Sequence, residues 1–302
     1  MTKRTKWMTS LSLSAFLVVF LLTLLSDKWS TFAGSGSQRA PTSTFLEQAV
    51  IRPNEPLSNT RKMITYSLYG GTNPRYLDGA IANAISYKTI YPDWEMRVYH
   101  DDSIPQKFLQ ELIGRDVELI DMTSSSLNKM SWRFLAASDP SVSHFCSRDI
   151  DSRLSKREKA AVDEWLASGR RFHVMRDHPS HSLYAMSGGM WCATHEAVPN
   201  MKEILTVSQL GEAYLEDMNF LNDIIWPIAQ KSVLQHDSFS CRTYEGSIPF
   251  PTSRVGSEHV GSIYIAGEMR SADVNLLQDA RDHECLRHAP ALILNHKESM
   301  RS

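Results

Sequence analysis

The stretch "HFCSRDIDSRLSKRE", His144 to Glu158, places two aspartates one residue apart, Asp149 and Asp151, at the end of a short apolar run and just before a charged helix. Side chains two apart on an extended backbone point to the same side, so the two carboxylates are expected to converge while Ile150 turns back into the core. Hard carboxylate oxygens in such a pair suit Mn²⁺ or Mg²⁺. A plain solvated acidic turn has the same spelling, because so short a motif occurs often by chance. An EF-hand loop fits worse: it would need an oxygen-bearing residue in place of Arg153 and a glycine in place of Leu154. A phosphoaspartyl hydrolase would carry its pair after the first strand of the fold, whereas three strand and helix units come first here.

Those units are what must position the pair. "KMITYSLYG" reads as a strand ending at Gly70 and Gly71, and "RYLDGAIANAISYKTIYP" as a helix with Leu77, Ile81, Ala84, Ile85 and Lys88 at helical spacing before Pro92. "EMRVYHDD" is a second strand, whose end carries Asp101, a candidate contact to a bound ligand. "SIPQKFLQELIG" is a helix with Pro105 in its first turn, Phe108, Leu109, Leu112 and Ile113 on one face and Gly114 at its end. "VELIDM", "SLNKMSWRFLAA" and "SVSHFCSRDID" follow as a third strand, a third helix and a fourth strand. Ser155 and Glu158 then stand in capping-box spacing at the start of the next helix. Strands alternating with helices imply an α/β fold with a mostly parallel central sheet covered on both faces. Such sheets bind ligands beyond the carboxyl ends of their strands.

The chain has 302 residues, enough to bury a full core, and its formal net charge of −2, with Lys and Arg scattered, gives no polyanion-binding surface and argues against nucleic acid as a partner. Residues 1–6 hold Lys3, Arg4 and Lys6, and residues 7–25, "WMTSLSLSAFLVVFLLTLL", have the length of a transmembrane signal anchor with a cytoplasmic N-terminus. A cleaved signal peptide is the competing reading. Either way the remainder is expected in a secretory lumen, where Cys146, Cys192, Cys241 and Cys285 can form disulfides whose pairing the sequence leaves open. Residues 26–60 are rich in Ser, Thr, Gly and Pro and read as a flexible stem, with the globular domain over 61–302.

The run "WRFLAASDPSVSHFCSRDIDSRLSKREKAAVDEWLASG", followed by "FHVMRDHPSHS", "SGGMW" and "EDMNFLNDIIWP", resembles the nucleotide-sugar glycosyltransferases of the GT-A fold. It is closest to a group with an "RDxDSRxxxRE" signature, shares the layout of the glycogenin-like enzymes, and covers roughly Lys62 to Val260. The resemblance implies a Rossmann-like fold and a metal-dependent transfer of a sugar from a UDP- or GDP-sugar donor to a glycan or other glycoconjugate acceptor. It also implies a single-pass type II protein of the Golgi or ER membrane. Asp149 and Asp151 would hold Mn²⁺ or Mg²⁺ against the leaving diphosphate. A third ligand, often histidine late in the chain, falls on His236 in "KSVLQHDSFSC", with His259 in reserve. The full His-X-X-Gly-X-X-Lys-Pro-Trp run of the glycogenin-like enzymes is absent.

The remaining candidates lie in the same segments, some read from the residues and some from the resemblance. Arg133 stands where related families place a basic residue that reaches the donor, and Arg148 offers a planar guanidinium fork to diphosphate or sugar hydroxyls. Gly188 and Gly189 remove side chains where a sugar needs close approach, and Trp191 is either a stacking platform for an acceptor or a packed core residue. "EDMNFLND" resembles an Asp-Gln-X-X-Leu-Asn run with Met218 in place of the glutamine, which nominates Asp217 as the group facing the acceptor hydroxyl, with Glu216 as an alternative. Asp177, in the titratable cluster Arg176, Asp177, His178 and His181, is a second catalytic candidate. Two other classes remain open, since fold alone does not determine function. One is a carbohydrate- or nucleotide-binding protein without turnover, and the other a metal-dependent nucleotidyltransferase or phosphohydrolase.

Overall fold

The computed structural model describes residues 61–280 and Cys285. The segments 1–6, 7–25 and 26–60 lie outside the described residues, and among those described no helix is long and apolar enough to cross a membrane.

Seven strands form one sheet: β1 (Arg61–Leu68), β2 (Glu95–His100), β3 (Val117–Asp121), β4 (Val142–Ser147), β5 (Phe172–Arg176), β6 (Trp191–Thr194) and β7 (Val233–Asp237). Their spatial order is β3-β2-β1-β4-β6-β5-β7. Neighbours run parallel except around β6, which is antiparallel to β4 and to β5. The mostly parallel α/β sheet expected from the alternating pattern is therefore present.

Strand parity divides the core in two. Ile64, Tyr66 and Leu68 of β1 and Cys146 of β4 face helices α1 (Pro74–Ile90), α2 (Gln106–Ile113) and α3 (Lys156–Ser168). Met63 and Phe145 face the opposite side, where α4 (Met201–Ser208) and the helical run from Glu216 to Ala229 cover Trp191 and Phe134. Helices α1 and α3 begin or end on chemistry legible in the sequence. Pro74 occupies the first turn of α1 behind an Asn73 cap, the Ser155 hydroxyl accepts the Glu158 N–H at the start of α3, and Gly169 closes α3 at φ 66°.

Two expectations need correction. "SLNKMSWRFLAA" is a 3-10 helix over Lys129–Ser138, not an α-helix. Partners outside the segment take its backbone: the Arg133 N–H donates to Ser67 Oγ at 3.1 Å and its carbonyl accepts from Thr65 Oγ1 at 2.8 Å. In α1 the buried face runs through Leu77, Gly79, Ala80, Asn83, Ala84 and Tyr87, while Ile85 stands in solvent. The helix is turned so that Gly79 and Asn83 meet the acidic turn after β4.

Candidate active site

Strand order reverses direction beside β1: β2 and β3 are laid to one side of it and β4 to the other. Adjacent parallel strands whose connections leave in opposite directions open a crevice at their carboxyl ends. Beyond β1 that crevice is bordered by Tyr69 and the start of α1; beyond β4 it is bordered by the acidic turn.

The turn does not continue the strand. β4 stops at Ser147, and Asp149 to Ser152 form a turn closed by the Ser152 N–H and hydroxyl, which donate to the Asp149 carbonyl at 3.1 and 2.8 Å. The alternation expected of an extended backbone is thus replaced, and the two carboxylates have different surroundings. The Asp149 side chain is 45 % exposed and that of Asp151 is 9 % exposed. Ile150 does turn into the core, as expected. Burial, and then the charge of Asp149, push the Asp151 carboxyl above its ordinary pKa.

Helix α1 fastens this turn. Asn83 Nδ2 donates to the carbonyls of Ile150 at 3.1 Å and Ser152 at 2.9 Å. A Cβ on Gly79 would overlap the Ile150 carbonyl oxygen and lie 3.2 Å from Asp151 Cα. From the first turn of α1, Arg75 Nε donates to Asp151 Oδ2 at 2.6 Å, and its Nη2 pairs with the same oxygen. On the other side, the Tyr264 N–H donates to the Asp151 carbonyl at 3.0 Å, just before the β8 (Tyr264–Ile265) and β9 (Glu268–Met269) hairpin.

Arg133 links the turn to the helical run. Its Nη1 pairs with Asp149 Oδ1, and its Nη2 donates to Asp217 Oδ2 at 2.9 Å. Asp217 lies in the first turn of α5 (Glu216–Phe220), where Leu215 at φ 75° turns the chain into the helix. Gly188 and Gly189 are needed for these same groups, not for an incoming sugar: a Cβ on Gly188 would overlap Arg133 Nη2 and Asp217 Oδ2, and one on Gly189 would overlap Asp149 Oδ2. The Gly188 N–H points to Met218 Sδ at 3.1 Å, so the residue in the glutamine position braces the glycine loop. Asn222 adds a second brace, accepting the Met186 N–H at 3.1 Å and donating to the Met186 carbonyl at 2.9 Å. It sits in a π-turn over Leu221–Ile225, directly before Pro227, whose missing N–H suits a break in the regular helical ladder.

The donor set fits a hard divalent ion. Each of the two carboxylates has one oxygen engaged by a guanidinium, and neither Asp149 Oδ2 nor Asp151 Oδ1 accepts from another described residue. Burial raises Asp151 most, and the repulsion from Asp149 that adds to it is what a bound cation relieves.

Several sequence candidates lie elsewhere. His236 is in β7, and β6 and β5 separate it from β4, a gap of about 14 Å at ~4.8 Å per strand. There its Nδ1 meets His173 Nε2 at 2.8 Å and its Nε2 meets Glu164 at 3.3 Å, so it does not share a site with Asp149. Arg148 is buried, donating to Glu158 Oε1 at 2.7 Å and to the Ser147 and Trp191 carbonyls at 2.7 and 3.1 Å, and it faces away from the crevice. Asp177 is fully buried, taking bonds from Arg157, Arg254, Ser238 and the Val260 N–H, which leaves no route for it to act as a base. Trp191 is buried between Phe134 and Phe145 and offers no platform. Asp101 lies just past β2, with Lys129 Nζ at 2.8 Å and the Ser103 hydroxyl at 2.5 Å on its carboxylate.

A second group of histidines is His178, His181 and His259. Their rings cluster, with His178 and His259 stacked at 4.5 Å and His181 and His259 at 6.0 Å, and His181 is near enough to feel the charge of Asp149. Burial, and then the neighbouring imidazoles, bring His181 down to about 3. Burial lowers His259 to about 4. His259 Nδ1 lies 3.1 Å from the Ser257 carbonyl, which places the proton there and leaves Nε2 with its lone pair. The reserve candidate His259 thus belongs to this histidine cluster, and its ligand atoms do not gather with those of Asp149 and Asp151.

Sequence reasoning passed over Arg75, Gly79 and Asn83, although their spacing of about one turn within "RYLDGAIANA" marks a single non-apolar stripe on α1.

No family model and no curated protein matches the chain. Among solved structures, S. aureus TarS 1-349 is similar at 12 % identity and a TM-score of 0.41, over 58 % of this chain and 58 % of that one. The galactosyltransferase LgtC, solved in complex with donor and acceptor sugar analogues, is similar at 12 % identity and a TM-score of 0.39, over 58 % of this chain and 73 % of that one. A 4-diphosphocytidyl-2C-methyl-D-erythritol synthase from Anaerococcus prevotii is similar at 8 % identity and a TM-score of 0.39, over 64 % and 91 %. Likenesses this distant leave the crevice to be read from its own geometry.

Proposed function

We propose that this chain is a metal-dependent glycosyltransferase that takes a sugar from a nucleoside-diphosphate donor and passes it to a glycan or glycoconjugate acceptor. The observation that carries the reading is the carboxylate pair at the mouth of the switch-point crevice, with one oxygen of each carboxylate not engaged by another described residue.

In this reading Asp149 and Asp151 would hold Mn²⁺ or Mg²⁺, and no histidine among the described residues completes a three-ligand protein set with them. When bound, the ion supplies Lewis-acid neutralisation of the charge that builds on the departing diphosphate. The chain's own groups do the rest. Arg133 spans Asp149 and Asp217 and so fixes the donor side of the crevice relative to the acceptor side. Asp217 is the carboxylate set to take the acceptor hydroxyl proton, and Tyr69, whose hydroxyl is raised to about 12 chiefly by burial, stays protonated as a donor to a sugar oxygen.

The disulfides Cys146–Cys192 and Cys241–Cys285 support delivery to an oxidising lumen. Together with the apolar segment 7–25 they favour a type II protein of the Golgi or ER membrane.

The test is chromatography of products from a panel of UDP- and GDP-sugars with Mn²⁺, Mg²⁺ or EDTA. Nucleoside diphosphate and transferred sugar, formed only with the ion, support the reading. Asp151→Asn is expected to lower turnover by about 10³-fold or more, the scale of losing a main electrostatic group, while the chain still folds. Pyrophosphate release would instead assign the crevice to nucleotidyl transfer, and nucleotide binding without any product would make it a binding site.

A further inference from the structure

The two carboxylates of the acidic turn already have cations on them, supplied by the chain. Arg75 reaches Asp151 from the first turn of α1, and Arg133 bridges Asp149 and Asp217, which sets three carboxylates against two guanidiniums in one electrostatic network, the two ion-paired groups meeting through the repulsion of Asp149 on Asp151. Arg153, stacked over Tyr264 at 4.9 Å, and Arg270, paired with Asp273 at 2.6 Å, make no direct contact with the pair.

The two arginines are held differently. Arg133 is buried and tied to β1 through its backbone, and its side chain has carboxylates on both sides. The Arg75 side chain is 30 % exposed, and its hydrogen bonds go to Asp151 alone. Besides that carboxylate its guanidinium lies over the Tyr76 ring at 5.5 Å, and a long side chain that is one-third in solvent can turn away at the cost of those contacts alone. Its guanidinium is also a planar fork suited to phosphate oxygens.

We propose that Arg75 is an exchange latch: it neutralises Asp151 while the crevice is empty and moves onto the donor's diphosphate when a divalent ion takes its place, so that ion and nucleotide bind together and each is weak alone. This rests on the metal-dependent reading above, and it names what regulates entry to that site. Charge accounting gives the reason. The network carries one net negative charge, a divalent ion alone reverses its sign, and an ion arriving with a diphosphate that bears two negative charges restores it. Without Arg75 the network would carry two negative charges, and the ion alone would neutralise it. The crevice as built thus favours the pair of ligands over the bare cation.

The experiment measures free Mn²⁺ by electron paramagnetic resonance as it is titrated into the 302-residue chain, with and without UDP or GDP, subtracting the nucleotide's own ion binding. The wild type is expected to bind Mn²⁺ weakly alone and at least about tenfold more tightly with nucleotide, within the common coupling range of roughly 5- to 150-fold. Arg75→Met is expected to bind Mn²⁺ alone about tenfold more tightly than wild type and to lose most of the coupling. Arg75→Lys, which keeps the charge but not the fork, is expected to keep the weak Mn²⁺ affinity and part of the coupling; thermal melts check that both variants fold. If Arg75→Met leaves Mn²⁺ affinity unchanged or weaker while the wild type binds the ion, the latch is wrong and the metal site stands. If no form binds Mn²⁺ with or without nucleotide, the metal site itself is wrong, and the latch falls with it.

Discussion

Gly189 faces Asp149 at a distance that admits no side chain. An added Cβ would overlap Asp149 Oδ2 and stand 2.7 Å from the Asp149 backbone nitrogen, so rotating the carboxylate is not enough and the turn itself must shift. Gly189→Ala is therefore expected to cost about 1–3 kcal/mol of stability, as overpacking does. It should lower turnover by about 10²-fold, the usual effect of moving a reacting group by an ångström. Urea melts and initial rates at saturating Mn²⁺ check both, and a variant with wild-type rates would show that Asp149 need not stay where it is. The same residue scale explains why Arg133 and Arg148 diverge. Both are arginines near the acidic pair in sequence, but the Arg148 side chain goes down among Glu158 and two carbonyls, while Arg133 reaches across the turn from the neighbouring layer.

Helix α1 is the element that sets the turn's position. Asn83 spends both amide hydrogens on the Ile150 and Ser152 carbonyls and leaves its own buried oxygen without a hydrogen-bond partner, an arrangement that places the turn at the expense of one acceptor. Asn83→Ala would leave the Ile150 carbonyl unsatisfied, at about 1–3 kcal/mol, while the Ser152 carbonyl keeps Arg153 Nη1 at 2.9 Å. It is also expected to raise the Mn²⁺ concentration needed for half-maximal activity. Ser86→Ala, on the same helix but bonded only to α1 carbonyls, is the control that should leave the requirement unchanged. The apolar spacing of α1 was enough to identify a helix. Which of its faces is buried was not legible there, because Gly79 and the polar Asn83 are buried by a contact with residues about 70 positions away.

Across the whole molecule, Asp177 is a junction rather than a reactive group. Its carboxylate joins Arg157 of α3, Ser238 after β7, and Arg254 and Val260 of the late loop that also carries His259. Burial alone would raise its pKa, but the bonds from Arg157 and Arg254 outweigh that and hold it below the usual carboxylate range. A carboxyl lowered in the folded state stabilises above the unfolded value of about 3.9, and that stabilisation is lost as pH falls through this value towards the folded one. The urea midpoint is thus expected to hold from pH 7 to about 5 and to fall steeply below about 4. Asp177→Asn should remove about 3–5 kcal/mol at pH 7 and flatten that acid limb. An unchanged limb would mean that another carboxylate governs acid unfolding. The amino-acid sequence alone determined the alternation of strands and helices, the cap of α3, and the placing of two adjacent carboxyl groups at the rim of a parallel sheet, since each of these depends on residues within a turn or two of one another. Only the tertiary structure decided which cation meets which anion, why two glycines must follow Ser187, and that His236 stands away from the pair. Those outcomes depend on strand order and on contacts between distant segments, and a one-dimensional pattern carries neither.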